Sequence, residues 1–459
     1  MARGRVLLAL AALAAYAGCG ASRPPPTVLL ISIDSLRADH VGAYGYAKPT
    51  TPRIDALARS GTLFERALSS TSWTLPAHAA LLTGVADSVH GVVDDSKALG
   101  PGLPTLAERL KARGFATAAV VSGPYLHPRY GLNRGFDQYL NCMGFLDDAF
   151  EPGPTAGTNI NLDSHGDVTS PCVVRRALEW LGRQRGRPAF LFVHLWDVHY
   201  DYVPPPGYAE RFETPYEGGL DPSGFELNRA IHEGMPARDL EHLIALYDGE
   251  IAYTDEHVGR LLDGVAAAGR RDPYVVLTSD HGDAFFEHGE KGHQNDLHAE
   301  VLRVPLVFAG PGIPRDARRP GPAHLTDVSP TLVELLGLGA PAARAAGDGW
   351  SLATALRDPG ALRGRRLFAE LDVGSARSVA VETLEWKVIR RYRPRRTDAY
   401  QPMTDPLEQS PLPAPPEMAS ELDRWRREAA RRGAAIGAAE AGRPSGELRE
   451  RLRSLGYVQ

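Results

Sequence analysis

The sequence predicts an α/β protein: a large mixed, mostly parallel sheet sandwiched by helices, with a small antiparallel C-terminal subdomain. Three apolar runs carry this reading, 27–33 (TVLLISI), 189–193 (AFLFV) and 274–279 (YVVLTS). Continuous β-branched and aromatic runs of this length read as strands buried on both faces, which is the signature of a parallel sheet. Each run also meets polar residues at its C-terminal end: Asp34 after the first, His194, Asp197 and His199 after the second, Asp280-His281 after the third. Open α/β sheets build their sites along that edge. Helical patterns alternate with the runs, as a layered α/β fold requires.

Taken in chain order, Arg3 and Arg5 precede the apolar stretch 6–17, which is too short for a membrane span and reads as a secretory signal. It ends Ala17-Gly18-Cys19, which resembles a bacterial lipobox, with Tyr16 where Leu is usual. Residues 1–19 are therefore expected to be a lipoprotein signal, Cys19 the lipidated mature N-terminus, and 20–26 a tether, placing the protein in the cell envelope or periplasm, held to the membrane by its lipid anchor. A cleaved signal with an incidental Cys is the alternative. The catalytic domain is expected over 27–360. Within it, 104–113 is amphipathic and stops at Gly114, 115–121 reads as a strand, 240–268 as a long helix, 304–309 as a strand and 329–336 as a short helix. The segment 361–459 forms the C-terminal subdomain and tail, with short antiparallel strands at 367–370 and within 378–391. A Pro-rich loop follows at 401–416, then an Arg-rich helix at 417–432 in which Asp423 and Arg427 are spaced to pair. Ser445 is placed to cap a last helix that docks through Leu448, Leu452 and Leu455.

At 459 residues, 43% hydrophobic and 23% charged, the chain has the composition of a folded globular enzyme. A net charge of −5 gives no polyanion-binding signal, so no nucleic-acid partner is expected. Export permits Cys142 and Cys172 to join, with two buried thiols as the alternative.

The most informative segment is Thr74-Leu75-Pro76-Ala77-His78, running into Ala79-Ala80-Leu81-Leu82-Thr83-Gly84. A Thr followed by Pro76 and a helical run is an ordinary N-cap, and a helix N-terminus also favours an anion. The segment resembles the sulfatase signature Cys/Ser-x-Pro-Ser-x followed after four or five residues by Thr-Gly. At the position where sulfatases carry the residue oxidised to formylglycine, this chain has Thr74, which cannot undergo that conversion. Ile33-Asp34-Ser35-Leu36-Arg37-Ala38-Asp39-His40 and Thr278-Ser279-Asp280-His281-Gly282-Asp283 resemble the two metal motifs of sulfatases and the wider alkaline phosphatase superfamily.

The resemblance implies one divalent metal ion held by Asp34, Thr74, Asp280 and His281. The family's second Asp is Ser35 and its usual Asn is His281. Calcium is the family's ion, and a nitrogen ligand tilts the site toward Mn²⁺ or Zn²⁺. His78 stands where sulfatases have an Arg and could orient or deprotonate Thr74. Arg37 could contact ester oxygens, His199 matches the histidine that assists the leaving group, and His293, with Lys291 close behind, matches the anion-binding position. His194 and Asp197 are expected to support these groups from behind. The implied activity is metal-dependent hydrolysis of a sulfated or phosphorylated glycan, lipid or small molecule. Alternatives are a phosphodiesterase or phosphoglycerol transferase on envelope glycans or lipids, and a non-catalytic envelope lipoprotein that binds an anionic glycan.

Overall fold

The three apolar runs lie side by side at the centre of the sheet, as their composition demands. The computed structural model describes residues 25–143, 168–213, 215–339, 348–374 and 376–441. The main sheet contains β1 (Thr27–Ile33), β2 (Thr62–Leu68), β3 (Ala116–Val121), β4 (Gln138–Asn141), β5 (Ala189–Leu195), β6 (Tyr274–Ser279), β7 (Arg303–Val304), β8 (Leu306–Ala309) and β9 (Ala317–His324). Their order is β7-β2-β8-β6-β1-β5-β3-β4, with β9 also paired to β2. From β6 through β1, β5 and β3 to β4 every pairing is parallel, whereas β8 runs antiparallel to both its neighbours. The strand expected over 304–309 is divided at Pro305, which has no N–H to give to a ladder.

Alternation along β1 divides the core between the two faces of the sheet. Val28 and Leu30 enter one cluster, with Leu75, Leu81 and Leu82 of the Thr74–Thr83 helix and Leu332 of the Val328–Leu335 helix. Leu29, Ile31 and Ile33 enter the other, with Trp180 of the Ser170–Arg183 helix and Tyr247, Ile251 and Leu261 of the Ala237–Ala267 helix. Both faces being covered is why β1, β5 and β6 carry no Asp, Glu, Lys or Arg along their length. Register pairs Ile33 with both Leu195 and Ser279, so Asp34, the end of β5 and Asp280 finish level at one edge.

The 104–113 pattern becomes the helix Leu106–Lys111, started by Thr105 and Glu108 in a reciprocal capping box. A disulfide joins Cys142, just past β4, to Cys172 in the first turn of Ser170–Arg183, with Cα atoms 5.9 Å apart.

The C-terminal strands β10 (Leu367–Val373), β11 (Ala376–Glu382), β12 (Lys387–Tyr392) and β13 (Arg395–Tyr400) form an antiparallel meander. One face of the meander packs on Leu68, Leu297 and Leu302, and the other takes Met418, Leu422 and Trp425 of the helix Pro416–Ile436. The Arg-rich helix thus has a buried stripe, and Asp423, spaced to meet Arg427, bonds across to Arg390 Nη1 of β12 at 2.6 Å. The signal segment, Cys19, the tether as far as residue 24, and the helix expected after Ser445 lie outside the described residues. Among the described residues no helix is long and apolar enough to cross a membrane.

Candidate active site

Thr74 opens a helix whose ten residues, Thr74–Thr83, are all buried. The N-cap is Trp73, in extended conformation, with no side-chain capping bond. The Thr74 hydroxyl is therefore not used as a cap; Oγ1 lies 3.1 Å from His281 Nε2. His281 Nδ1 faces the Gly282 carbonyl at 3.0 Å and must carry its hydrogen there. Nε2 is left as a bare acceptor for the Thr74 proton. Gly282 allows this close turn, because a Cβ there would collide with the Glu300 carbonyl and the Arg37 side chain.

Asp34 and Asp280 flank this pair from the ends of β1 and β6. Asp34 Oδ1 accepts from Ser35 Oγ at 3.0 Å, and Asp280 Oδ1 accepts from the Ser35 and His281 N–H groups at 3.2 and 2.9 Å. Ser35 reaches this position with φ of 54°, in the left-handed region. His281 Nε2 is 3.5 Å from Asp280 Oδ2 and 3.9 Å from Asp34 Oδ1. Burial, with the adjacent Asp280 charge, pushes the Asp34 carboxyl well up. Burial also opposes ionisation of Asp280, but His281, His78 and His194 hold it below the usual carboxylate range.

His78 stands one turn further along the same helix, and its ring bonds to groups other than the Thr74 hydroxyl. Its Nδ1 bonds the Thr74 carbonyl at 2.8 Å and its Nε2 meets Ser32 Oγ at 3.0 Å. Burial lowers His78 and His194 to about 4, so both rings are neutral near pH 7. His194 Nδ1 faces the Ser122 carbonyl at 2.7 Å, and its Nε2 lies 3.3 Å from Asp34 Oδ2.

On the other side of His281 stands His293, with ring centroids 4.3 Å apart. Its Nδ1 is 2.7 Å from Asp283 Oδ1, while Asp283 Oδ2 accepts from Tyr202 Oη at 2.7 Å. Burial disfavours the imidazolium, but the Asp283, Asp34 and Asp280 charges outweigh it and raise His293 above the ordinary imidazole value. His199 packs edge-on to His293 at 5.0 Å and directs Nδ1 to the Tyr200 carbonyl at 2.5 Å.

Three other sequence candidates have protein partners of their own. Lys291 Nζ donates to the carbonyls of Phe225, Asn228 and Ile231 at 2.6–3.0 Å, anchoring that loop. Arg37 pairs with Asp39 at 2.8 Å and Glu287 at 2.5 Å and also reaches the Asp283 carbonyl, so it braces the β6 motif. Asp197 accepts from Thr169 and Ser170 N–H groups at the start of the Ser170–Arg183 helix. Asp283 and Tyr202 were not singled out in the sequence. The available signal was Asp283's place three residues after Asp280 in the same motif; Tyr202 offered none.

Several buried side-chain atoms converging on this site form no hydrogen bond: Asp34 Oδ2, Asp280 Oδ2, His194 Nε2 and His293 Nε2. Ligand atoms of Asp34, Asp280 and His281 lie within 4.8 Å of one another. Buried carboxylate oxygens are left this way at a large free-energy penalty unless a cation or proton satisfies them, and Asp/His donors suit a divalent cation.

The Sulfatase family model matches residues 26–338, spanning the whole site. The chain is 26% identical to a sulfatase of Formosa agariphila over 68% of its own length and 69% of the relative's. It is 26% identical to the choline-sulfatase of Rhizobium meliloti, covering 79% and 78% of the two chains. Among solved structures, the phosphonate monoester hydrolase of Agrobacterium radiobacter superposes with a TM-score of 0.69 at 22% identity, over 91% of this chain and 96% of that one. A 2-O GAG sulfatase superposes with a TM-score of 0.70 at 23% identity, over 91% and 95%. The fold, the level strand ends and the matched span place the chain in the sulfatase family of the alkaline phosphatase superfamily, as a hydrolase of sulfuric or phosphoric esters.

Proposed function

We propose that this chain cleaves phosphate-type esters, phosphodiesters foremost, with Thr74 Oγ1 as the nucleophile. The observation that carries the proposal is Thr74 itself, at the position of the formylglycine precursor and bonded through Oγ1 to a buried acceptor. A formylglycine hydrate expels sulfate by elimination, using a second hydroxyl on the same carbon. A threonine ester has no such hydroxyl and must be released by attack of water at phosphorus or sulfur. Phosphoryl groups on Ser or Thr are readily resolved that way.

Asp34, Asp280, His281 and the Thr74 hydroxyl are the residues that would hold the cation. A divalent ion there would lower the pKa of the hydroxyl and offset charge developing on the ester oxygens. In the first step the Thr74 hydroxyl, its proton released to solvent, forms Oγ1–P and the P–OR bond breaks. His293, whose protonated form Asp283 favours, is placed to give its Nε2 proton to the leaving oxygen, with His199 beside it. In the second step water attacks phosphorus and gives a proton to the now neutral His293 Nε2, the P–Oγ1 bond breaks, and the Thr74 oxygen takes a proton from solvent. The buried helix start contributes backbone N–H groups and a positive dipole end toward the anion.

Sulfate esters are the second reading, favoured by relatives named choline-sulfatase and delta 4,5-hexuronate-2-O-sulfatase. A panel of aryl sulfate, phosphate monoester and phosphodiester, run on wild type and Thr74→Ala, separates the two. Thr74-dependent diester cleavage is expected; sulfatase activity that survives Thr74→Ala removes the nucleophile assignment. Attachment to the envelope through Cys19 belongs to the same proposal, and processing that is insensitive to globomycin removes that part.

A further inference from the structure

We infer that His194 is an additional ligand of the cation, so that the site offers two carboxylates, two imidazoles and the Thr74 hydroxyl. This deepens the proposed function and rests on its reading that a divalent cation binds here. His194 sits one residue before the end of β5 and is fully buried. Its Nδ1 is fixed as an N–H by the Ser122 carbonyl, so Nε2 presents a bare lone pair. That lone pair faces Asp34 Oδ2 at 3.3 Å, and neither atom forms a hydrogen bond. Two electron-rich atoms at this distance, away from water, repel unless positive charge lies between them.

His281 is built the same way. Its Nδ1–H is tied to the Gly282 carbonyl, and its Nε2 lies 3.1 Å from Thr74 Oγ1 and 3.5 Å from Asp280 Oδ2. Metal-bound imidazoles characteristically pin their second N–H to a carbonyl or carboxylate, which fixes the tautomer and aims the ring. The spacings of 3.1–3.9 Å also fall within the range of a five-donor shell, in which bonds of about 2.0–2.1 Å put neighbouring donors about 2.9–3.6 Å apart and opposed ones about 4.1 Å apart. A proton shared between Asp34 and His194 is the competing account. Two nitrogens in the shell favour Zn²⁺ or another borderline transition ion over Ca²⁺, which takes oxygen donors.

The test is X-ray absorption spectroscopy of the full chain loaded with Zn²⁺, together with the Zn²⁺ dissociation constant from chelator competition. Two coordinated imidazoles are expected in wild type and one in His194→Ala, with affinity weakened at least about 100-fold. His194→Gln, and a thermal melt of each apo-variant, separate lost ligation from misfolding. A one-imidazole spectrum in wild type, or unchanged Zn²⁺ affinity in a folded His194 variant, overturns the inference and leaves the cation reading intact. Failure of wild type to bind any divalent ion overturns both.

Discussion

Glu408→Gln is expected to destabilise the protein by about 3 kcal/mol at neutral pH, because it breaks a buried ion pair within the C-terminal subdomain, between Glu408 of the loop after β13 and Lys387 of β12, that also holds His298 and Ala299 of the main body. Glu408 and Lys387 are 2% and 0% exposed, with Lys387 Nζ 2.8 and 3.0 Å from the two carboxylate oxygens. Oε2 also meets His298 Nδ1 at 3.0 Å and the Ala299 N–H at 3.1 Å. Burial works against ionisation, yet Lys387 and His298 lower the Glu408 carboxyl from 4.5 to about 2. That depression is worth about 3 kcal/mol. The folded-state pKa is depressed, so this contribution is complete above the unfolded value near 4.5 and disappears as pH falls toward 2. Urea unfolding followed by tryptophan fluorescence should show the full difference between wild type and Glu408→Gln at pH 7, and about half of it at pH 3. A variant of wild-type stability at pH 7, or a difference that does not change with pH, would refute the reasoning. The consequence extends to the site. His298 adjoins Asp296, whose carbonyl accepts from Ser72 Oγ at 2.7 Å, two residues before Thr74.

Activity on alkyl esters should decline as pH rises through the raised His293 pKa, because the protonated ring is the donor to the leaving group. An activated aryl ester should feel this less, and a pH-independent ratio between the two substrates, measured in wild type and His293→Gln, would count against the role. By the same linkage, the stability contributed by protonated His293 is full below the unfolded imidazole pKa of about 6.5 and is lost as pH rises through the folded value. Replacing Cys142 and Cys172 by Ser should lower unfolding stability by about 3–4 kcal/mol, the loop-entropy value for a 30-residue separation; equal urea midpoints and slopes would contradict it. Lys291→Met should leave the carbonyls of Phe225, Asn228 and Ile231 without a donor, and hydrogen exchange across 225–231 should speed up. Unchanged protection would show that the anchor is not needed. EDTA should abolish turnover and Mn²⁺ or Zn²⁺ restore it; full activity after exhaustive chelation removes the cation from the proposed function.

The central sheet was legible because a strand covered on both faces excludes charged residues until it emerges. The first charged positions after 27–33 and 274–279 therefore mark the site directly. Thr74 was legible because its motif is local. What escaped the sequence was direction and distant partnership. Lys291 and His293 lie two residues apart, yet the short ladder pairing Ala284–Phe285 with Lys291–Gly292 sends Lys291 to the 225–231 loop and leaves His293 to reach Asp283. Arg37 looked available for substrate because its partner Glu287 is 250 positions away. His78 follows Thr74 by four residues, and that spacing on a helix brings its ring to the Thr74 carbonyl, a contact the motif match does not specify. Tyr202 joins the Asp283–His293 pair through contacts that carry no local motif.

The motif that Ser35 belongs to resembles one with a carboxylate at this position, and the Ser35 backbone adopts a left-handed conformation that Asp and Asn tolerate best among residues with a Cβ. The main chain at position 35 therefore already has a shape in which a carboxylate could stand beside Asp34. On the proposed function, Ser35→Asp would add an oxygen donor to the cation while leaving the Thr74 hydroxyl untouched. The donors offered to the ion and the group that carries the ester would then be set by different side chains of one strand-end cluster.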